Sequence, residues 1–224
     1  MTASHPEPAP LHIDVVSDVV CPWCFIGKRR LENALELVPH IPVEITWRPY
    51  FLNPWIPREG IDRQTYLETK FGSVERYAVI AERVVAAAAL DGLLYASDAI
   101  SRQPNTLDCH RLILWSRSVT DPGNMKQRLM ELYFSEGGDL TDPKTLIQAA
   151  VDCGMDGDLV RRLLASDADV DRIERDANGA KEAGIDGVPC FIFGGSAIVT
   201  GAQSPEYLAS AIERTAAKQA RLRA

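Results

Sequence analysis

The sequence predicts an α/β fold in which a small sheet is interrupted along the chain by a long helical insertion. Three observations carry that prediction. Residues 11–48 read as strand, helix, strand. Residues 191–215 read as a hairpin followed by a helix. The stretch between them shows almost nothing but helical periodicity.

In residues 11–18, Leu11, Ile13 and Val15 alternate with His12 and Asp14, the period of two expected of a strand. The strand runs directly into Cys21-Pro22-Trp23-Cys24. Beyond it, Gly27, Leu31, Ala34, Leu35 and Val38 fall on one helical face, and Lys28, Arg29, Glu32, Asn33 and Glu36 on the other. Pro39 and Pro42 stop this helix, and Val43, Ile45 and Trp47 alternate through a second strand.

Near the other end, Phe191-Ile192-Phe193 and Ala197-Ile198-Val199 flank Gly194-Gly195. Such a pair takes the positive φ angles of a tight turn, so a hairpin is expected. Ser204 then caps a helix with Pro205 at its first position. In between, helices are expected over residues 66–90, 107–118, 125–134, 143–153, 159–164 and 170–183. Asn105 is expected to cap the second of these, with Asp108 closing an approximate capping box. A βαβ opening and a ββα close are the halves of a thioredoxin fold. The expected division is a flexible tail at 1–10, a thioredoxin-like domain at 11–55 plus 175–224, and an all-helical insertion at 56–174.

Composition bounds the function. Hydrophobic residues make up 46% and charged residues 25%, ordinary globular usage for a chain of 224 residues. The net charge, 24 − 31 = −7, argues against nucleic acid as a partner. The start, MTASHPEPAP, has no basic segment followed by an apolar run, so no secretory leader is expected. Nothing approaches the roughly 18 apolar residues of a membrane span. A cytoplasmic protein with no membrane partner is the resulting expectation, with a homodimer left open.

Five cysteines, at 21, 24, 109, 153 and 190, are an odd number and too sparse for a disulfide framework. The close pair stands at a strand-to-helix junction. There the unpaired N–H groups and positive dipole end of the helix favour a thiolate on Cys21, with Cys24 one turn further in. Cys21 is read as the attacking thiol and Cys24 as the resolving thiol, with Pro22 and Trp23 completing the loop. A zinc site is not expected, because no second CxxC exists and His5, His12, His40 and His110 are scattered. Asp14 and Asp18 flank the pair as candidates to take the resolving thiol's proton. Cys109, Cys153 and Cys190 are read as packing residues, and His110 as a packing or capping residue. Lys28-Arg29-Arg30 is read as a solvated helix face that also has the charge to attract an anionic thiol.

Gly187-Val188-Pro189 precedes the hairpin. A proline opening a strand can adopt the cis form, and beside a CxxC such a loop presents backbone to an extended substrate. In thioredoxin-like proteins such a loop faces the CxxC, and that likeness makes Val188 and Pro189 the candidate substrate-binding residues.

The residues 17–29 (SDVVCPWCFIGKR), Trp47-Arg48-Pro49-Tyr50, residues 105–112 (NTLDCHRL), Gly187-Val188-Pro189 and Gly201-Ala202-Gln203 together resemble the DsbA family, and within it the FrnE-like branch. The resemblance spans nearly the whole chain past the tail. It implies thiol–disulfide oxidoreductase activity toward protein or low-molecular-weight thiols and disulfides. No bound cofactor is implied, and glutathione is the cosubstrate to consider. Strongly oxidising members carry His where this chain has Trp23, so a less oxidising disulfide is expected here. The alternative is a glutathione-dependent enzyme of the 2-hydroxychromene-2-carboxylate isomerase or kappa-class transferase type, which needs no resolving thiol. A non-enzymatic binding module is the third reading.

Overall fold

A computed structural model describes residues 9–223; most of the expected tail, residues 1–8, lies outside the described residues. Strand β1 (Leu11–Ser17) is central because it pairs on both sides. It runs parallel to β2 (Val43–Pro49), in register from Leu11 opposite Val43 to Ser17 opposite Pro49. On its other side it runs antiparallel to β5 (Cys190–Phe193), which in turn pairs with β6 (Ala197–Thr200). The order is β2-β1-β5-β6. Gly194 and Gly195, at φ 56° and 70°, make the turn between β5 and β6.

Helices α1 (Pro22–Leu37) and α9 (Pro205–Arg223) pack together, and α9 also contacts β1, β5 and β6. Val16, Tyr50 and Cys190 form a separate buried cluster, covered by Ala180 of α8 (Val170–Glu182) and by Ile185. The sheet is therefore sandwiched, which explains why β1 is apolar on both sides at Val15 and Val16.

The segment between β2 and β5 is helical apart from a two-stranded ribbon, β3 (Ile61–Asp62) with β4 (Arg102–Gln103), and a 3-10 turn at Ser97–Ala99. Its helices are α2 (Arg63–Phe71), α3 (Val74–Leu90), α4 (Leu107–Ser116), α5 (Pro122–Phe134), α6 (Pro143–Asp152), α7 (Gly157–Leu164) and α8. The boundary expected at 174/175 falls within α8.

Two expectations fail locally. The helix expected over 66–90 is broken: Gly72, at φ 87°, ends α2, and Ser73 starts α3 by accepting from the Arg76 N–H. Asp108 closes no capping box, since its carboxylate is held by Arg58 and Arg111; Asn105 alone accepts from the Leu107 N–H, at 2.9 Å. Asp62, Asp121, Asp142 and Asp156 cap four other helices and Ser204 caps α9 by accepting from the Tyr207 N–H, each worth about 1 kcal/mol.

One apolar core joins the two halves of the chain. Phe25 of α1 stacks on Phe134 of α5 at 5.4 Å, and Tyr95 meets the same ring at 5.3 Å. Each such buried ring stabilises by roughly 2–3 kcal/mol. The insertion is thus fastened directly behind the first turn of α1, where the cysteines lie.

Candidate active site

Cys21 is the N-cap of α1, with extended backbone angles (φ −93°, ψ 113°) and Pro22 following inside the first turn. Its carbonyl begins the helix by accepting from the N–H groups of Cys24 (2.9 Å) and Phe25 (3.2 Å). No side-chain oxygen caps this helix, and its first turn holds no acidic residue. The Cys21 sulfur therefore occupies the place where a capping oxygen ordinarily sits, at the positive end of the helix dipole.

Cys21 and Cys24 are both unbonded and buried, at 4% and 2% exposure. Their environments push the two thiols apart. A hydrogen bond from the Cys24 thiol is the largest influence on Cys21, and with the Cys24 and Trp23 N–H groups it carries the Cys21 pKa below 9.0 against burial and the charge of Asp18. Burial, reinforced by Cys21 itself, drives the Cys24 thiol well above 9.0. One sulfur is thus prepared as the anion and the other as its proton-bearing donor.

Val188 and Pro189 lie across from this pair. Their peptide bond is cis, and the Cys21 thiol donates to the Val188 carbonyl at 3.6 Å. Pro189 seats against Gly27 of α1, where a Cβ would lie 2.8 Å from the Pro189 Cγ. Trp23 is 39% exposed, an apolar surface beside the sulfur.

The residues proposed to handle protons divide sharply. Asp14 is engaged by Arg48 (2.7 Å) and His12 (3.3 Å). Asp18 is fully buried at the site: its Oδ2 accepts from the Leu52 N–H at 2.8 Å, and its Oδ1 faces His110 Nε2 at 3.4 Å. Burial pushes the Asp18 pKa up, but the hydrogen bond and charge of His110 with the Leu52 N–H outweigh it, and the net displacement is downward. His110 Nε2 also lies 3.2 Å from the Tyr50 carbonyl, which can only accept, so that nitrogen carries a hydrogen. His110 packs, as its helical position indicates, but it packs onto an active-site carboxylate.

The basic run following the cysteines is not a solvated face. Lys28 is buried, bonded to Glu32, and lies 5.8 Å from the Trp47 ring centre. Arg30 is held by Asp91 (2.8 Å) and the Ala202 carbonyl (2.6 Å); only Arg29 keeps substantial exposure. Cys109 is fully buried and burial pushes its thiol well up; Cys190 is buried on the opposite face of the sheet, while Cys153 is partly covered.

Two cations near the pair carry no sequence signature. Lys126 of α5 is 1% exposed, with no hydrogen-bond or carboxylate partner among the described residues, and sits 5.4 Å from the Trp47 ring centre. Burial lowers its pKa to about 8, against the opposing charges of Cys24 and Asp18. Lys70 of α2 is exposed, donates to Asn53 Oδ1 at 2.5 Å, and lies near enough to Cys21 and Asp18 for their charges to act on it. No group of three or more His, Cys, Asp or Glu side chains suited to a metal occurs among the described residues, and no described helix is long and apolar enough to cross a membrane.

Comparison with known proteins places this geometry in context. The family described as DSBA-like thioredoxin domain matches residues 12–213. A probable DsbA oxidoreductase of Streptomyces coelicolor superposes with a TM-score of 0.83 at 29% identity, over 92% of this chain and 89% of its own. A 2-hydroxychromene-2-carboxylate isomerase shares the fold with a TM-score of 0.70 at 16% identity, covering 94% and 98% of the two chains. The cytosolic disulfide reductase DsbM of Pseudomonas aeruginosa, solved with GSH, does so with a TM-score of 0.62 at 13% identity, over 95% and 100%.

Proposed function

Since the chain belongs to the DSBA-like thioredoxin domain family, whose members are thiol–disulfide oxidoreductases, we propose that it exchanges disulfides through Cys21 and Cys24 as a cytoplasmic, FrnE-like enzyme. The observation that carries this reading is the placement of two unbonded thiols, Cys21 at the N-cap of α1 with no capping oxygen beside it and Cys24 buried one turn inside.

The steps balance as follows. The Cys21 thiolate attacks one sulfur of a substrate disulfide, forming a mixed disulfide and releasing the other sulfur as a thiolate with the bonding pair. Cys24, once deprotonated, attacks Cys21 Sγ; the substrate's second sulfur leaves, and the Cys21–Cys24 disulfide remains. Two equivalents of a thiol such as glutathione reset it, emerging as glutathione disulfide. Val188 and Pro189 face the attacked sulfur, and Trp23 offers apolar contact to protein substrates.

Glutathione as cosubstrate is supported by Lys70. Its ammonium is accessible, has no carboxylate partner among the described residues, and acts electrostatically on Cys21. An ammonium so placed suits a carboxylate of a small thiol.

Turnover of glutathione disulfide and of a protein disulfide by wild type, Cys21→Ser and Cys24→Ala tests the proposal. Loss of turnover in both variants is expected. Full turnover by Cys24→Ala turns the reading toward glutathione-dependent isomerisation, and an unaffected Cys21→Ser variant removes exchange chemistry altogether.

A further inference from the structure

The exchange reading leaves one proton unassigned. Cys24 must lose its proton before it can close on Cys21, yet it is buried and its thiol is held in the protonated form. Asp18 is a poor acceptor. Its Oδ2 accepts from the Leu52 N–H, and that bond together with the nearby His110, 3.4 Å from Oδ1, favours the anion. Protonating it would break that arrangement.

Resting on the exchange reading, we propose that Lys126 is the proton-exchanging partner of the resolving thiol Cys24, and that the cavity behind it is its route to solvent.

Lys126 projects from α5, which packs against α1 and α4. It is buried among aromatic and apolar side chains with no anion bonded to it, an expensive placement for a purely structural cation. Its ammonium is a charge that favours the Cys24 thiolate. It also lines a cavity of about 40 Å³ with Trp47, His110, Arg117 and Asp176. At roughly 10–15 Å³ per water, that space accommodates about three waters.

The charged and titratable groups around Lys126 come from every packed element. Cys21, Cys24 and Lys28 face it from α1, Asp18 from the preceding loop, and Cys109, His110 and Arg117 from α4. Across the cavity stand Arg48 of β2 and Arg172 and Asp176 of α8. Arg48 is neutralised by Asp14 and Arg172 lies 3.8 Å from Asp169, while Asp152 of α6 is bound to Arg128. Burial, helped by Lys28, favours the neutral amine against the charges of Cys24, Asp18 and Cys21, and an amine lowered to about 8 is a competent base near neutral pH.

The step is a transfer from Cys24–SH to the neutral Lys126 amine, giving thiolate and ammonium. The thiolate then forms the Cys21–Cys24 bond and expels the substrate thiolate, and the ammonium returns its proton to cavity water. In the reductive direction the proton travels back to the Cys24 thiolate as the disulfide opens.

The test is a single-turnover experiment with glutathione disulfide, acid-quenched and analysed by mass, which separates capture on Cys21 from closure by Cys24. Wild type, Lys126→Met and Lys126→Arg are compared from pH 6 to pH 10. In Lys126→Met, closure is expected to slow by roughly 100-fold at neutral pH, so that the mixed disulfide accumulates, and the rise in closure rate around pH 8 is expected to vanish. Lys126→Arg keeps the charge but holds its proton, so it is expected to stay slow. Restoration of closure by arginine overturns the proton-exchange role in favour of a fixed charge, and unchanged closure in Lys126→Met overturns it outright. Should wild type form no mixed disulfide on Cys21, it is the exchange reading that falls.

Discussion

Gly27→Ala sets two physical effects against each other at the active site. In an open helix, replacing glycine by alanine stabilises by about 0.5–1 kcal/mol, because glycine loses more backbone freedom on folding. At Gly27 the new methyl group would lie 2.8 Å from Pro189 Cγ and 3.4 Å from Phe191 Cζ. A proline ring cannot rotate aside, so the 188–189 segment must shift or α1 must move off the sheet. Overpacking of this kind costs about 1–3 kcal/mol, leaving a net loss of roughly 0–2.5 kcal/mol. Gly179 in α8 is the internal control, since a Cβ there meets nothing within 4 Å. Gly179→Ala is expected to gain about 0.5–1 kcal/mol. Urea denaturation of both variants gives the comparison, and the initial rate of Cys21 capture by glutathione disulfide reports whether the Val188 carbonyl, 3.6 Å from Cys21 Sγ, has been displaced. If Gly27→Ala is stabilised as much as Gly179→Ala and captures at the wild-type rate, the close seating of Pro189 on α1 is refuted.

Arg111 is fully buried and donates to the carbonyls of Leu163, Ser166 and Ala168, holding the α7–α8 connection to α4. Arg111→Met strands those acceptors and is expected to cost about 3 kcal/mol in chemical denaturation; a loss under about 1 kcal/mol contradicts the assignment. Asp18 has a folded pKa below its ordinary 3.8, so its contribution to stability is complete above that value and is lost as pH falls through the folded one. Acid titration of Asp18→Asn against wild type should show the wild type losing the larger increment below about pH 4, and parallel curves contradict this. Trp23 cannot stabilise a neighbouring thiolate as an imidazolium does, so equilibration with glutathione should give a potential well below the strong-oxidant end near about −120 mV, and Trp23→His should raise it. A wild-type potential at that oxidising end contradicts the reasoning.

The strand-to-helix position of the cysteines, the Gly-Gly turn and the Ser204 cap were legible because each depends on a few adjacent residues. The break at Gly72-Ser73 was present in the sequence too, as a helix-ending glycine followed by a capping serine, but the apolar period continuing into the alanine-rich run of α3 obscured it. Lys28 and Lys126 were not legible. Amphipathic patterning assigns lysines to water, and only the packing of α1 and α5 around Trp47 buries them. The Asp18–His110 contact joins residues 92 positions apart, on the loop before α1 and on α4, and no local pattern reports such a pairing. The pair itself and Asp18 could be read; the cations that the insertion brings near them, Lys126 above all, could not.

The most direct measurement follows alkylation of the reduced protein by iodoacetamide as a function of pH, with each modified cysteine identified by mass. Cys21 is expected to react first, with a midpoint below 9.0 that moves upward in Cys24→Ala, because the Cys24 thiol is the largest influence lowering it. Earlier modification of Cys24 or Cys190, or a Cys21 midpoint at or above 9.0, would contradict a sulfur anion held at the start of α1.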